Sequence, residues 1–130
     1  MKLLLDTHIW LWSLGEPQRL SSRVAKELDN RQNELWLSPI SIWEALLLSR
    51  KKRVQIATDF TTWLATSLSV LPVVEAPLTF EVARMLPTLG MPHDDPADLF
   101  LAATAKAFEI TLVTADRNLL RTGGISVLAN

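Results

Sequence analysis

The chain contains no cysteine, no tyrosine and only two histidines in 130 residues. Without cysteine there are no disulfides and no thiolate metal sites, and redox chemistry says nothing of the compartment. The N-terminus, Met1-Lys2-Leu3-Leu4-Leu5-Asp6, places just three leucines before a charge, too few for a signal-peptide core or a membrane span. The expectation is a cytoplasmic protein that does not enter the membrane. Neither sign of charge is in excess: Lys and Arg total 13 against 14 Asp and Glu, a net charge of −1. Bulk electrostatics therefore gives no basis for broad, non-specific nucleic-acid binding. An enzyme acting on nucleic acid would need metal ions to neutralise an acidic site and basic residues concentrated locally. Neither His8 nor His93 has a partner in a recognisable triad, and no residue reads as a covalent nucleophile.

What is present, 48% hydrophobic and 21% charged residues, is the composition of an ordinary globular protein. With no linker, repeat or low-complexity tract, residues 1–130 are expected to form a single domain. Leu3-Leu4-Leu5 reads as a strand buried on both faces, followed by a short helix from Ile9. Ser21 is placed to cap a helix running to about Asn30, and Leu35-Trp36-Leu37 reads as a second strand. Ser41-Ile42-Trp43-Glu44 fits the S-x-x-E capping box at the start of the next helix. Thr58 or Asp59 would cap a helix carrying Phe60, Trp63, Leu64 and Leu68. Residues Val70 to Val74 read as a third strand, which Pro72 assigns to an edge or a strand end. Helices are expected over Pro77–Leu86 and from Asp95 to about Phe108, then strands at Ile110–Thr114 and Ser126–Leu128. Strands alternating with helices imply an α/β three-layer sandwich around a central, mostly parallel sheet.

That architecture gives four acids a common address. Asp6 follows the first strand and Asp116 the Ile110–Thr114 strand, while Glu44 and Asp98 open helices. In a parallel sheet, strand C-termini and helix N-termini share one edge, where such folds place their sites. Each acid also has a local explanation. Asp6 can cap the Ile9 helix, Glu44 can complete its box, Asp98 suits a first turn beside the helix dipole, and Asp116 suits an Asx turn. Clustered carboxylates nevertheless repel and raise one another's pKa, and all-oxygen ligation is the preference of Mg²⁺ or Mn²⁺.

Four segments carry a resemblance: Leu4-Leu5-Asp6-Thr7-His8-Ile9-Trp10, Ser38-Pro39-Ile40-Ser41-Ile42-Trp43-Glu44, His93-Asp94-Asp95-Pro96-Ala97-Asp98 and Leu112-Val113-Thr114-Ala115-Asp116. In this order they resemble the successive motifs of PIN-domain proteins, and most of all the VapC-type ribonuclease toxins of toxin–antitoxin modules. The resemblance implies a PIN-like fold and an endoribonuclease dependent on Mg²⁺ or Mn²⁺. It makes Asp6 and Asp98 metal ligands, with Glu44 and Asp116 completing the site directly or through water. It also implies an RNA substrate, a cognate VapB-like antitoxin and a homodimer. One departure is evident. Related chains often carry Phe and Arg beside the central acid, where this chain has Ala97 and Leu99, so a phosphate contact or structural ion pair is missing.

Other features divide between packing and contact. Arg50-Lys51-Lys52-Arg53 is the dense basic run, complementary to a helix C-terminus and also suited to phosphate contact. Thr7 and Asn118 read as helix-terminus and turn residues close to the acids. Trp10, Trp12, Trp43 and Trp63 fall on helices rich in leucine, where core packing accounts for most of them, and surplus apolar surface would suit a partner. The rival expectation is a non-catalytic PIN-like module that binds RNA or protein and keeps its acids for structure. A second is a metal-dependent phosphohydrolase acting on DNA or a small substrate.

Overall fold

The computed structural model describes residues 1–90 and 95–130, so His93 and Asp94, which open the third acidic segment, lie outside the described residues. Five strands pair in the order β3-β2-β1-β4-β5, where β1 is Lys2–Leu5, β2 Glu34–Leu37, β3 Val74–Glu75, β4 Thr111–Thr114 and β5 Val127–Ala129. Every pairing is parallel. Leu3, Leu4 and Leu5 are wholly buried, as a central parallel strand requires. Leu3 and Leu5 join a cluster with Ile9, Trp10, Val24 and Ala45, whereas Leu4 joins Leu101, Ala102, Ala105 and Leu112. The alternation of the strand thus feeds two cores, one on each face of the sheet. These are the layers of the expected α/β sandwich.

Helices α1 (Thr7–Gly15), α2 (Ser22–Asp29), α3 (Pro39–Arg50) and α4 (Phe60–Val70) occupy the first half of the chain. Helices α5 (Phe80–Met85), α6 (Pro96–Phe108) and α7 (Arg117–Leu120) follow. Ser21 and Asp59 cap α2 and α4 as expected, accepting from the N–H of Val24 and Thr62. Among the described residues no helix is long and apolar enough to cross a membrane.

Three expectations are corrected. The capping box at Ser41–Glu44 does not form, because α3 starts three residues earlier: Ser38 caps it by accepting from the Ile40 N–H at 3.1 Å, with Pro39 next in the first turn. Glu44 accordingly lies in the second turn instead of opening the helix. The third strand does not span Val70–Val74. Val70 still belongs to α4, Pro72 has no N–H to give a ladder, and pairing begins only where Val74 meets Trp36. It is the edge strand that Pro72 implied. Helix α5 is shorter than Pro77–Leu86, because Thr79 caps it by accepting from the Val82 N–H at 3.2 Å, and Pro87 leaves a 3₁₀ turn over Leu86–Thr88.

The longest helix is α6. Asp95 caps it, accepting from the Asp98 N–H at 3.2 Å, and Pro96 follows. Its inner side, Ala97, Leu101, Ala102, Ala103 and Ala105, is nearly all small, which lets the helix lie close to its neighbours. It ends where Glu109 turns into the left-handed region at φ 54°, its N–H reaching the Lys106 carbonyl and the Ile110 N–H the Ala105 carbonyl at 3.1 Å. That pair of bonds closes the helix and sends the chain straight into β4. A residue with a Cβ loses about 1–2 kcal/mol in this conformation, partly offset by the roughly 0.5–1 kcal/mol that glycine loses in backbone entropy. Glu109→Gly is therefore expected to stabilise the protein by up to about 1 kcal/mol, read as a small rise in melting temperature; a fall would contradict the strain.

Candidate active site

The chain runs outward from β1 through β2 to β3 and then crosses to β4 on the other side of β1, so the strand order reverses there and a crevice opens at the C-terminal end of β1. Asp6 stands there. Its N–H donates to the Val113 carbonyl at 3.0 Å, continuing the ladder by one residue, and its own carbonyl accepts from Trp10, starting α1. The residue is only 7% exposed. One carboxylate oxygen, Oδ1, accepts from the Thr7 N–H at 2.7 Å; the other, Oδ2, accepts from the buried Thr114 hydroxyl at 2.6 Å. Burial pushes the Asp6 carboxyl above the ordinary carboxylate range, against the pull of these two donors.

Thr114 also accepts from the Asp116 N–H at 3.0 Å, so one hydroxyl holds together the ends of β1 and β4. Asp116 then caps α7, its Oδ1 accepting from Asn118 at 2.8 Å and Leu119 at 3.1 Å. The buried Thr7 hydroxyl is hydrogen-bonded with the Ser41 hydroxyl at 3.0 Å and ties α1 to α3. Thr7 therefore serves structure between two helices, and Asn118 contributes to the turn below Asp116.

Glu44 is half-buried on α3. Burial raises its carboxyl, the Thr7 hydrogen bond opposes this, and the charge of Asp6 adds to the rise. Asp98, in the first turn of α6, is pushed up to about 7, first by burial and then by the charges of Asp95, Asp6, Asp116 and Glu44. Four elements thus bring all four sequence-predicted acids to one cleft, and Asp95 and Glu16 join them as a fifth and a sixth. The cleft encloses about 900 Å³ and is also lined by His8, Trp12, Trp63, Arg19 and Arg53. Two residues escaped the sequence reading. For Thr114 the available signal was a polar residue closing an otherwise apolar buried strand. Arg19 gave no signal, because the connection after α1 brings it back to the cleft.

Arg53 has a local cause. The Lys52 backbone is left-handed at φ 58°, the Lys52 N–H reaches the Ser49 carbonyl at 3.0 Å and the Arg53 N–H the Leu48 carbonyl at 2.9 Å. This motif closes α3 and turns the chain at the end of the basic run, so that its last residue lines the cleft. No arginine flanks Asp98 in sequence, yet two reach the same cavity from elsewhere.

The donors are all carboxylate oxygens, which suit a hard divalent cation. Among the described residues no group of three or more His, Asp or Glu side chains is gathered tightly enough to hold an ion. Ligation by one or two carboxylates, with water completing the shell, is what Mg²⁺ ordinarily accepts, and the donor set fits that mode.

Such an arrangement defines a parallel α/β protein with an acidic cleft at its switch point. The PIN domain family matches residues 3–125, and the chain belongs to that family. It is 36% identical to Ribonuclease VapC22 of Mycobacterium tuberculosis over 118 residues, which is 90% of this chain and 88% of that one. In fold it resembles a chain of VapBC2 from Rickettsia felis bound to a promoter DNA fragment, with a TM-score of 0.69, 20% identity, and coverage of 99% of this chain and 98% of that chain. FitAcB from Neisseria gonorrhoeae is similar, with a TM-score of 0.64, 25% identity, and coverage of 98% and 96%.

Two outcomes follow from the geometry. Thr114→Val keeps the shape but removes a donor to a buried carboxylate and an acceptor for the Asp116 N–H. It should destabilise the protein by about 1.5–3 kcal/mol in denaturant melts. The second concerns pH. Between the ordinary carboxylate range and about 7 the folded state keeps a proton on Asp98 that the unfolded chain has lost. The unfolded state binds fewer protons, so metal-free stability falls as pH rises through this window. Asp6 and Glu44 shift in the same direction. Asp98→Asn should flatten the fall, melting above wild type at pH 8 and converging with it near pH 5 in chelator; an unchanged slope would refute the raised Asp98 carboxyl.

Proposed function

We propose that residues 1–130 act as a single PIN-like domain with metal-dependent endoribonuclease activity, the toxin of a toxin–antitoxin pair. The observation that carries this is the convergence of Asp6, Glu44, Asp98 and Asp116, from four elements, on one cleft at the switch point of the sheet. The relation to a named ribonuclease supports it. Mg²⁺ or Mn²⁺ is the cofactor of this reading, held by Asp6 and Asp98 with Glu44 and Asp116 completing the site directly or through water. When bound, such an ion supplies positive charge that makes a water molecule more acidic and stabilises charge developing on the phosphodiester.

The chain's own residues do the positioning. Thr7 and Thr114 hold the Asp6 carboxylate in one orientation, and Thr114 fixes Asp116 relative to it. Asp98 and Glu44 complete the acidic wall from two different helices. Hydrolysis adds the oxygen of water to phosphorus and releases the ester oxygen with a proton, without a covalent intermediate on the protein. The partners of this reading are an RNA substrate in the cytoplasm, a VapB-like antitoxin that covers the cleft, and a second copy of the chain.

Asp6→Asn or Asp98→Asn is expected to lower RNA cleavage by at least about 100-fold and to abolish growth inhibition on expression, with an unchanged circular dichroism spectrum. Mn²⁺ at roughly 100 times its dissociation constant should stabilise the wild type by about 2.7 kcal/mol, a melting shift on the order of 10 °C. Asp98→Asn should lose most of that shift. A wild type that binds RNA, cuts none and shows no metal-induced shift would instead be the non-catalytic module.

A further inference from the structure

One wall of the cleft is built for something other than metal. Along α1, His8 and Trp12 are one turn apart with ring centroids at 5.8 Å, and Arg19, on the 3₁₀ turn Pro17–Arg19, lies over Trp12 with its guanidinium carbon 4.5 Å from the ring centroid. All three line the cavity that holds the acids. We propose that Trp12 and Arg19 bind the nucleotide next to the cleaved phosphodiester of single-stranded RNA, its base stacked on the indole and its phosphate on the guanidinium. The inference rests on the ribonuclease reading of the cleft.

Three observations support it. A cavity lined by six carboxylates, Glu16 among them, repels a polyanion, so RNA approaches where cations stand beside the acids, and Arg19 is such a cation. The Arg19 side chain is 53% exposed, and its ion pair with Glu16 is a surface contact at 3.4 Å through one nitrogen. A guanidinium offers five N–H donors in a planar fork, so the Glu16 contact leaves others to face a phosphate. Surface ion pairs and exposed cation–π pairs add little to folding, so stability alone does not account for an arginine at this spot. Trp12 is half-buried, with part of its ring on the core and part on the cavity. A flat π surface accepts any base, as single strands require.

The test uses the full chain with a short fluorescein-labelled single-stranded RNA, measuring anisotropy in chelator and steady-state cleavage with Mn²⁺. Trp12→Ala should weaken binding and lower kcat/KM by roughly 5- to 150-fold, the span of one base–aromatic stack, with the loss mainly in KM. Trp12→Phe should restore most of it. Arg19→Gln should raise KM and reduce the salt dependence of binding by about one phosphate contact, whereas Arg19→Lys should keep the salt dependence. If Trp12→Ala fails to fold by circular dichroism, the Trp12→Phe and Arg19→Gln pair decides. Unchanged Kd and KM in the folded variants would overturn the inference, as would variants that bind RNA normally but lose a copurifying protein partner. A wild type that binds RNA through Trp12 yet cuts none would overturn the nuclease reading and leave the binding assignment standing. A wild type that neither binds nor cuts would overturn both.

Discussion

The buried carboxylate of Asp6 is the constraint to which the rest of the structure answers. It sits at the end of the central strand, where an ionised group can persist only with donors on both oxygens. One donor is the first N–H of α1 and the other is the Thr114 hydroxyl, 108 positions away in sequence. Meeting the second requires β4 to lie beside β1 in the register that pairs Leu5 with Val113. A polar requirement at one residue thus helps fix strand order and alignment, which the uniformly apolar strands would specify weakly by themselves.

The same crossing explains why the cleft is acidic without the protein being so. The chain is nearly neutral overall, and its charges are separated in space: carboxylates gather at the switch point while Arg19 and Arg53 reach it from chain turns. Each carboxylate is anchored by its own local bonds, Asp116 at α7 and Asp95 at α6, so the cluster is assembled from separate helix termini, joined by Glu44 from the second turn of α3. Capping and site formation are therefore not competing explanations for these acids. Asp116 holds its cap through Oδ1 and lines the cleft at the same time.

Much of this was legible beforehand because alternating elements place strand ends and helix starts on one edge whatever the details of packing. The ends of individual elements were less so. Two serines compete to start α3, and the pattern Ser41-x-x-Glu44 lost to Ser38 followed by Pro39, whose fixed φ and missing N–H suit a first turn. Glu44 still reached the cleft. A slip of three residues rotates a helix by about 300°, within roughly 60° of a full turn, so the side chain keeps nearly the same face and moves one turn along the axis. Val70 to Val74 failed for a different reason: β-branched residues and a leucine look like a strand, but α4 runs on through an exposed Val70 and Pro72 has no N–H to give a ladder. The Thr114 partner depends on which strands become neighbours, and the place of Arg19 on how a connection folds back, which no local pattern encodes.

Burying carboxylates, and then setting them beside one another, costs stability, and the upward shifts of Asp6, Glu44 and Asp98 give the direction of that cost. At Asp116, whose cap bonds run to Oδ1 alone, an amide would keep the shape and those hydrogen bonds while removing the charge. Helix capping would survive such a replacement, since Asn caps about as well as Asp. A carboxylate where an amide would cap equally well is thus an argument that the charge itself is used. Only a ligand of opposite sign gives back what the repulsion takes away, and in a cleft with two arginines beside it that ligand has to be small enough to sit among the acids while leaving the cations to an anionic chain. A divalent ion with RNA meets both conditions at once.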